Sequence, residues 1–205
     1  TTRRQRQMCI RDRDNAMLNY LDNTQNNANN PNENYAREFL ELFTITKGEQ
    51  IGEGDYSTYT EEDVIMAAKV FSGFKTKLDR SIIDPDTGIP IGRISVNQHD
   101  QSTKTFSHAF DNYQLAGGTD ENTIMSELHE FVDMIFDKQA TARAYVSKLY
   151  RFFVKSEWTA EDEANIINPL ALELIDNNYE IVPIVRTLLS SQHFFDFGDL
   201  SLIHI

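Results

Sequence analysis

Apolar residues recur every three or four positions over most of the chain, which is the spacing that places side chains on one face of an α-helix. The apolar stripes fall at 35–43, 64–74, 124–135, 145–153, 166–175 and 184–189. Helix-start signals include Thr60 followed by Asp63, Thr159 followed by Asp162, and Asn30 followed by Pro31 and Glu33. Pro169, inside the stripe at 166–175, should kink or split that helix. We therefore predict an all-α, mainly helical fold, built as an orthogonal or irregular bundle.

The pattern changes between residues 78 and 113, beside the strong turn signal DPDTG at 84–88. The β-branched residues there partly alternate with polar ones: Ile89, Ile91, Ile94 and Val96. This alternation predicts a small β-hairpin insertion. The glycine-rich segment 47–59 predicts a loop. We expect one helical domain over residues 14–199, with the β-containing insertion at 78–113.

Both ends of the chain differ from its body. Residues 1–13 (TTRRQRQMCIRDR) lack helical or strand periodicity, and residues 200–205 (LSLIHI) follow the body abruptly. The strings QMCIRDR and LSLIHI resemble translated adapter sequence from assembled environmental reads, so we interpret both segments as non-native tails. This interpretation removes Cys9, the only cysteine, and with it any disulfide or thiol nucleophile. It also removes His204 from the candidate ligands.

Charge and hydropathy limit the classes of partner. The formal net charge is −13 at pH 7, which argues against nucleic acid, because phosphate binding needs a basic surface. The same charge fits a cation or a basic partner equally well. No apolar run reaches the roughly 20 residues of a transmembrane helix, so we expect no transmembrane segment. An envelope component or another protein is the expected partner, and the sequence does not fix the oligomeric state.

Several stretches, in a fixed order, are together typical of one bacterial family. They are AMLNYLDNTQN, PNENYAREFLELFT, YTEEDVIMAAKVFSGF, QHDQSTKTF, ATARAYVSKLYRFFV and IVRTLLSSQHFF. On these motifs the chain resembles the family catalogued as domain of unknown function 1800, over roughly residues 14–197. The loop at 48–59 is longer than the family's usual one, and Ser107 and His108 replace its usual Leu-Gly pair. Neither departure touches the NENYARE motif.

The resemblance implies an exported bacterial protein that resides in the periplasm or outside the cell. Family members are longer and include an upstream helical region that contains histidines. The resemblance therefore implies that this chain is a middle to C-terminal portion of such a protein. It supplies no reaction and no catalytic residues.

The segment 22–33 has the donor spacing of a twelve-residue calcium loop. Oxygen-bearing side chains fall at its first, third, fifth, ninth and twelfth positions: Asp22, Thr24, Asn26, Asn30 and Glu33. These are the ligand types that calcium (Ca2+) prefers, and such loops lie between two helices. The sixth position holds asparagine instead of the usual glycine. The same residues fit an alternative in which Asx side chains cap turns and Glu33 closes a capping box.

Two further groups of polar residues carry candidate chemistry. Paired carboxylates such as Glu38 and Glu41 can shift one pKa into the range for acid–base catalysis. His99 beside Asp100 is a candidate general base or metal ligand, although neighbours on a strand point to opposite faces. The alternative is a structural network of hydrogen bonds and ion pairs, to which we assign Asn32, Glu33, Asn34, Arg37 and Lys104.

Two functions from different classes remain. The first is a non-catalytic, exported helical scaffold or binding module of the cell envelope. The alternative is a metal- or carboxylate-dependent hydrolase-like enzyme, whose site Glu38, Glu41 or His99 would share with histidines of the upstream region. The enzyme hypothesis requires His99 and Asp100 to converge with the helix face of Arg37, Glu38 and Glu41 in one pocket.

Overall fold

The computed structural model describes residues 13–84 and 88–195. Within these residues the chain is mainly helical, with short two-stranded antiparallel sheets, as the sequence predicts. It divides into two compact units, the first ending at Ile135 and the second beginning at Phe136. None of the helices in the described ranges has the length and apolar character of a membrane-spanning segment. Most of both predicted tails, with Cys9 and His204, lies outside the described residues.

The helices that begin in the first unit are α1 (Asn15–Tyr20), α2 (Glu33–Glu38), α3 (Glu61–Val70) and α4 (Glu121–Phe136). Their starts have local causes. The Asp14 carboxylate caps α1 by accepting hydrogen bonds from its first backbone N–H groups. Thr60 and Asp63 close the predicted capping box at the start of α3. Helix α2 continues into one π-helical turn, Phe39–Phe43.

The start of α2 differs from the prediction. Asn32 is the N-cap, and its side chain accepts a hydrogen bond from Asn34 N at 3.0 Å. The capping box predicted for Asn30 and Glu33 is therefore wrong. The reason is that Asn30 pairs with Asn27 in a β-bridge, so the preceding loop closes before the helix begins.

Short antiparallel hairpins separate the helices of the first unit. They are β1 (Gln50–Gly52) with β2 (Asp55–Tyr56), β3 (Phe74–Lys75) with β4 (Arg93–Ile94), and β5 (Lys104–Thr105) with β6 (Gln114–Leu115). The last two hairpins confirm the β-containing insertion, with bounds slightly outside the predicted 78–113. The first hairpin lies in the segment 47–59, where a loop is predicted. That prediction is wrong because Gly54, at φ +68°, supplies a tight hairpin turn.

The core of the first unit is a cluster of aromatic rings. The ring centroid of Phe131 lies 5.5 Å from those of Phe39, Phe71 and Phe106. Tyr35 packs edge-on against Phe71 at 4.9 Å. All five side chains are buried, and aromatic pairs in these geometries stabilise a core beyond their area burial. Because these rings come from α2, α4, the end of α3 and the end of β5, the cluster positions the polar groups attached to those elements.

Arg13, the last residue of the predicted N-terminal tail, is part of the first unit. Its guanidinium lies 3.3 Å from the carboxylate of the buried Asp84. Its carbonyl accepts a hydrogen bond from Gly92 N at 2.7 Å. The folded body therefore includes Arg13, one residue before the predicted start at residue 14.

The helices that lie wholly in the second unit are α5 (Gln139–Phe153), α6 (Ala160–Asp162), α7 (Asn168–Asp176) and α8 (Ile181–Ser190). Thr159 and Asp162 form a capping box at the start of α6. A π-helical turn, Glu163–Ile167, separates α6 from α7 just before Pro169. Because proline lacks the N–H that a continuous α-helix needs, it interrupts the helical hydrogen bonds here, as predicted.

Candidate functional site

His99 is a buried residue in the connection between α3 and α4. A 3₁₀ turn, Val96–Gln98, ends at His99, which is 3% exposed. The backbone N–H of Asp100 donates to Ser72 Oγ at 2.8 Å, which anchors the turn to the end of α3. Gly73 has φ +79°, and a Cβ at that position would lie 2.9 Å from His99 N. The close approach of these two segments therefore requires glycine.

Both ring nitrogens of His99 face hydrogen-bond acceptors. Nδ1 lies 2.9 Å from Ser72 O, and Nε2 lies 3.0 Å from Oε2 of Glu127 on α4. The backbone N–H of Gly118 donates to the same Oε2 at 2.7 Å. Glu127 is 2% exposed. Since a carbonyl oxygen and an ionised carboxylate only accept, an ionised Glu127 requires a proton on both ring nitrogens of His99.

Lys104, on β5, completes this group and is fully buried. Its Nζ forms an ion pair with Oε1 of Glu127 at 2.7 Å. The same Nζ donates to Asp100 O and lies 3.8 Å from Asp100 Oδ1. We refer to Ser72, His99, Asp100, Lys104 and Glu127 as the buried charge cluster. The structure thus brings three of the predicted residues together, namely His99, Asp100 and Lys104.

The Asp100 carboxylate lies at the edge of the buried charge cluster. It accepts hydrogen bonds from the backbone N–H and the hydroxyl of Ser102. Burial raises the pKa of Asp100, but the Ser102 hydrogen bonds and the Lys104 charge outweigh burial, so the pKa lies below its ordinary value. Asp100 is therefore held as an anion beside the Lys104 ammonium.

Sequence reasoning did not identify Glu127 or Ser72. Glu127 stands within the apolar stripe of α4, three residues after Ile124 and four before Phe131. A carboxylate in an apolar stripe was an available signal, because a buried charge needs a partner. The identity of that partner was not readable, since His99 lies 28 residues away along the chain.

Arg37 is the centre of a second, more exposed group of charged side chains. Its guanidinium forms two hydrogen bonds to Glu61, at 3.0 and 2.6 Å, and one to Glu33 at 3.1 Å. Glu41 lies 3.9 Å away and accepts a hydrogen bond from Tyr59. The hydrogen bond from Arg37 lowers the pKa of Glu61, and the hydrogen bond to Glu61 raises the pKa of Arg37. Burial, together with the bond to Glu41, raises the pKa of Tyr59.

The two charged groups lie at opposite ends of α3. Arg37 binds Glu61, the first residue of that helix, whereas His99 binds Ser72, two residues past its end. At a rise of 1.5 Å per residue, these positions are roughly 16 Å apart along the helix axis. Within residues 13–84 and 88–195, no hydrogen bond or ion pair links the buried charge cluster to Arg37 or Glu41. The structure does not bring together the residues that the enzyme hypothesis places in one pocket.

The predicted calcium loop, residues 22–33, closes around its own amide groups and a lysine. Asn26 is buried; its side-chain amide donates to Ala68 O at 2.7 Å, and its Oδ1 accepts from Asn32 N at 3.0 Å. The Lys75 ammonium donates to the backbone carbonyls of Thr24 and Asn26, at 2.7 and 2.8 Å. A cation of the protein itself therefore binds backbone oxygens of this loop.

The remaining loop residues tie it to α2. Asn32 Nδ2 donates to Asp22 O, and Asn34 Nδ2 donates to Leu21 O, both at 3.2 Å. The Glu33 carboxylate pairs with Arg37 one turn along the helix. In the part of the chain that the structure describes, no three or more His, Cys, Asp or Glu side chains are grouped to hold a metal ion. The calcium site, which also uses amide and backbone oxygens, stays a prediction.

Comparison with known proteins tests the family resemblance that the sequence motifs indicate. A family model described as "Protein of unknown function (DUF1800)" matches residues 11–202. No curated protein and no solved structure matches the chain. The family match spans almost the whole sequence, including the NENYARE motif and the buried charge cluster. The chain therefore belongs to the DUF1800 family of proteins of unknown function.

Proposed function

We propose that this chain is a non-catalytic helical scaffold or binding module of the bacterial cell envelope. The observation that carries the proposal is that its candidate catalytic groups bind one another. A general base needs a lone pair within hydrogen-bonding reach of a substrate. His99 uses both ring nitrogens internally, on Ser72 O and Glu127, and the side chains of His99, Glu127 and Lys104 are almost fully buried. The envelope location rests on the family resemblance of the sequence.

The contacts of the buried charge cluster support a structural role. They join the end of α3, the turn at residues 96–104 and α4, which are distant in sequence. Desolvating several charges is costly, so such a group forms only where the surrounding packing holds each partner in place. We therefore interpret the cluster as a device that fixes the relative placement of these three segments.

The hydrolase-like alternative rests on a different observation, at Glu38 and Glu41. These carboxylates are partly exposed, and α2 runs directly into the π-helical turn Phe39–Phe43. Thr46, just beyond that turn, has φ +63°, which is strained for a β-branched residue. π-Helical turns and strained backbone recur at functional sites, which keeps a carboxylate-dependent reaction as the second candidate.

One experiment separates the two candidates. The 205-residue chain is incubated with washed bacterial envelope fragments, which are then sedimented. The bound chain is measured in the pellet, and released sugars, peptides, fatty acids and phosphate are measured in the supernatant. We expect saturable sedimentation with the envelope and release equal to that of a protein-free control.

The variant Glu41→Gln tests the alternative, with Glu49→Gln as a matched control in an exposed segment. Release above the protein-free level that Glu41→Gln abolishes and Glu49→Gln preserves would establish the hydrolase-like function instead. A chain that stays in the supernatant at every envelope concentration would contradict the binding function.

A further inference from the structure

Helix α5 and its flanks carry charge of one sign. Residues 138–156 contain five basic residues and no acidic one, whereas the whole chain has a formal net charge of −13. This segment therefore has the opposite sign to the molecule as a whole. A basic element on an acidic protein attracts a partner that the rest of the chain repels.

Two of the five cations are neutralised by carboxylates of the second unit. The Arg143 guanidinium pairs with Glu163, and the Lys155 ammonium lies 3.1 Å from Oδ2 of Asp162. Arg151 differs from both. It is exposed, and within the described part of the chain its guanidinium forms no hydrogen bond or ion pair. Arg151 is therefore a positive charge without a partner carboxylate on the surface of an acidic protein.

Lys148, Arg151 and Phe152 form one exposed face of α5. Arg151 follows Lys148 by three residues and Phe152 follows it by four, and side chains with this spacing are neighbours on a helix surface. All three side chains are exposed, and Phe152 is 72% exposed. We refer to these three residues as the α5 face. It combines an aromatic ring with basic side chains on one continuous helix.

The guanidinium of Arg151 is held in place at the edge of the α5 face. It lies 4.8 Å from the ring centroid of Trp158. The indole is itself fixed, because its Nε1 donates to Oε2 of Glu163 at 2.7 Å and Tyr150 packs edge-on against it at 6.1 Å. An arginine that is already stacked on an aromatic ring loses less conformational entropy when it binds a carboxylate. Arg151 is thus oriented in advance for a carboxylate of a partner.

We infer that the α5 face binds an acidic, partly apolar segment of another protein. The Arg151 guanidinium forms a bidentate hydrogen bond with an Asp or Glu side chain of the partner, and Phe152 packs against a neighbouring apolar side chain. Aromatic residues and arginine are enriched at the energetically dominant positions of protein interfaces, which is the composition of this face. Lys148 adds electrostatic attraction. The inference rests on the proposed binding function and names the chemistry of its partner.

The charge of the chain disfavours other occupants. A bilayer of anionic lipids is an extended surface that also repels the rest of the acidic chain, including the exposed Glu157 and Glu161 that follow α5. Phe152 is the single apolar member of the α5 face, which gives little insertion into a bilayer. A second copy of the chain has the same net charge of −13, so two copies repel each other. A short acidic segment meets only the α5 face.

The inference is tested with the full chain and a fluorescein-labelled peptide in which two glutamates alternate with one leucine. Two control peptides carry lysine in place of glutamate, or serine in place of leucine. Fluorescence anisotropy measures binding. We expect saturable binding of the Glu-Leu peptide alone, and added salt should weaken it because screening reduces the attraction. Trp158 is the only tryptophan, so a change in its fluorescence on binding would locate the peptide beside Arg151.

Substitutions on the α5 face test which side chains bind the peptide. Arg151→Gln should weaken binding about tenfold or more, which is the loss typical of a dominant interface residue. Arg151→Lys should restore part of the affinity, since lysine keeps the charge but not the bidentate geometry. Phe152→Asn should weaken binding to a similar extent as Arg151→Gln.

Two substitutions on α8 serve as matched controls. Arg186→Gln removes an exposed arginine, and Val182→Asn removes an exposed apolar side chain. Neither should change binding. Thermal unfolding verifies that each variant is folded, and Arg151→Gln, which alters an exposed side chain, decides the outcome if Phe152→Asn unfolds.

The inference fails if the Glu-Leu peptide does not bind, if all three peptides bind equally, or if Arg151→Gln binds like the controls. Binding to vesicles that contain phosphatidylglycerol, without binding to the peptide, would assign the α5 face to a membrane instead. A dimer in sedimentation equilibrium that Arg151→Gln dissociates would assign it to a second copy. Envelope sedimentation without peptide binding would remove this inference alone. Peptide binding without envelope sedimentation would uphold it and remove only the proposed binding to the envelope.

Discussion

Replacing Glu127 by glutamine is the most direct test of the buried charge cluster. The amide keeps the size of the side chain but removes the negative charge that faces Lys104 and His99. The buried Lys104 ammonium would then keep only the Asp100 carboxylate, at 3.8 Å, as a counter-ion. An ammonium without adequate compensation is the main cost of the substitution.

The expected loss in the free energy of unfolding follows from the contacts that Lys104 and His99 keep in the variant. Removing one partner of a buried ion pair costs about 3–5 kcal/mol. The Asp100 carboxylate reduces this cost. The oxygen of the glutamine amide can also still accept the hydrogen bonds that Glu127 Oε2 accepts from His99 and Gly118. We therefore expect the free energy of unfolding to fall by about 3 kcal/mol, which lowers Tm by roughly 6–12 °C for a chain of this size.

Urea and thermal unfolding, followed by circular dichroism, measure the effect. Glu130→Gln is the matched control, because Glu130 lies on α4 in an exposed position and accepts a hydrogen bond from Tyr113 that an amide oxygen can keep. It should change the free energy of unfolding by less than about 0.5 kcal/mol. If Glu127→Gln is equally harmless, water reaches the cluster and the reasoning is refuted. Adding Lys104→Met to Glu127→Gln should cost less than the sum of the two single changes, since it removes the uncompensated charge.

Three further predictions concern other parts of the first unit. In Arg37→Gln, the pKa of Glu61 should rise toward its ordinary value in an NMR titration. A carboxylate whose pKa is lower in the folded than in the unfolded state stabilises the fold at pH values above its unfolded pKa. This contribution is lost as the pH falls through the folded pKa, so the difference in the free energy of unfolding between Arg37→Gln and the unmodified chain should shrink below about pH 4. A pH-independent difference would contradict this. Gly73→Ala should lower the free energy of unfolding by at least about 2 kcal/mol more than Gly88→Ala, because both glycines have positive φ but only Gly73 lacks space for a Cβ; equal losses in urea unfolding would show that crowding is unimportant. If segment 22–33 binds calcium, excess calcium should raise the unfolding midpoint relative to chelator, by about 2.7 kcal/mol at a hundredfold excess over Kd, and Glu33→Gln should remove the rise; a midpoint indifferent to calcium would end that hypothesis.

Local signals in the sequence predicted most of the helices of this fold. Thr60 with Asp63, and Thr159 with Asp162, form their capping boxes because each uses atoms within one helical turn. The apolar stripes were readable for the same reason, because the spacing of apolar residues on a helix face does not depend on what the helix packs against. Prediction failed at Asn30, where a β-bridge in the preceding loop competes with capping and moves the helix start.

The candidate site was only partly accessible to the same reasoning. His99, Asp100 and Lys104 attracted attention as neighbours in sequence, and they do share one cluster. The charge that binds His99 and Lys104 together belongs to Glu127, on a helix that follows a long intervening segment. Spacing carries no information about such a pair, because its distance depends on how α3, the turn and α4 pack.

The sequence by itself determined the family, the helical class and the starts of α3 and α6, since all of these depend on motifs or on contacts within a few residues. Only the tertiary structure decided which charges meet. It joined His99 to Glu127 and Ser72. It also placed His99 and Arg37 at opposite ends of α3. The physical reason is that a buried charge is stable only beside its partner, and the aromatic core, not the local sequence, sets which partner lies within reach.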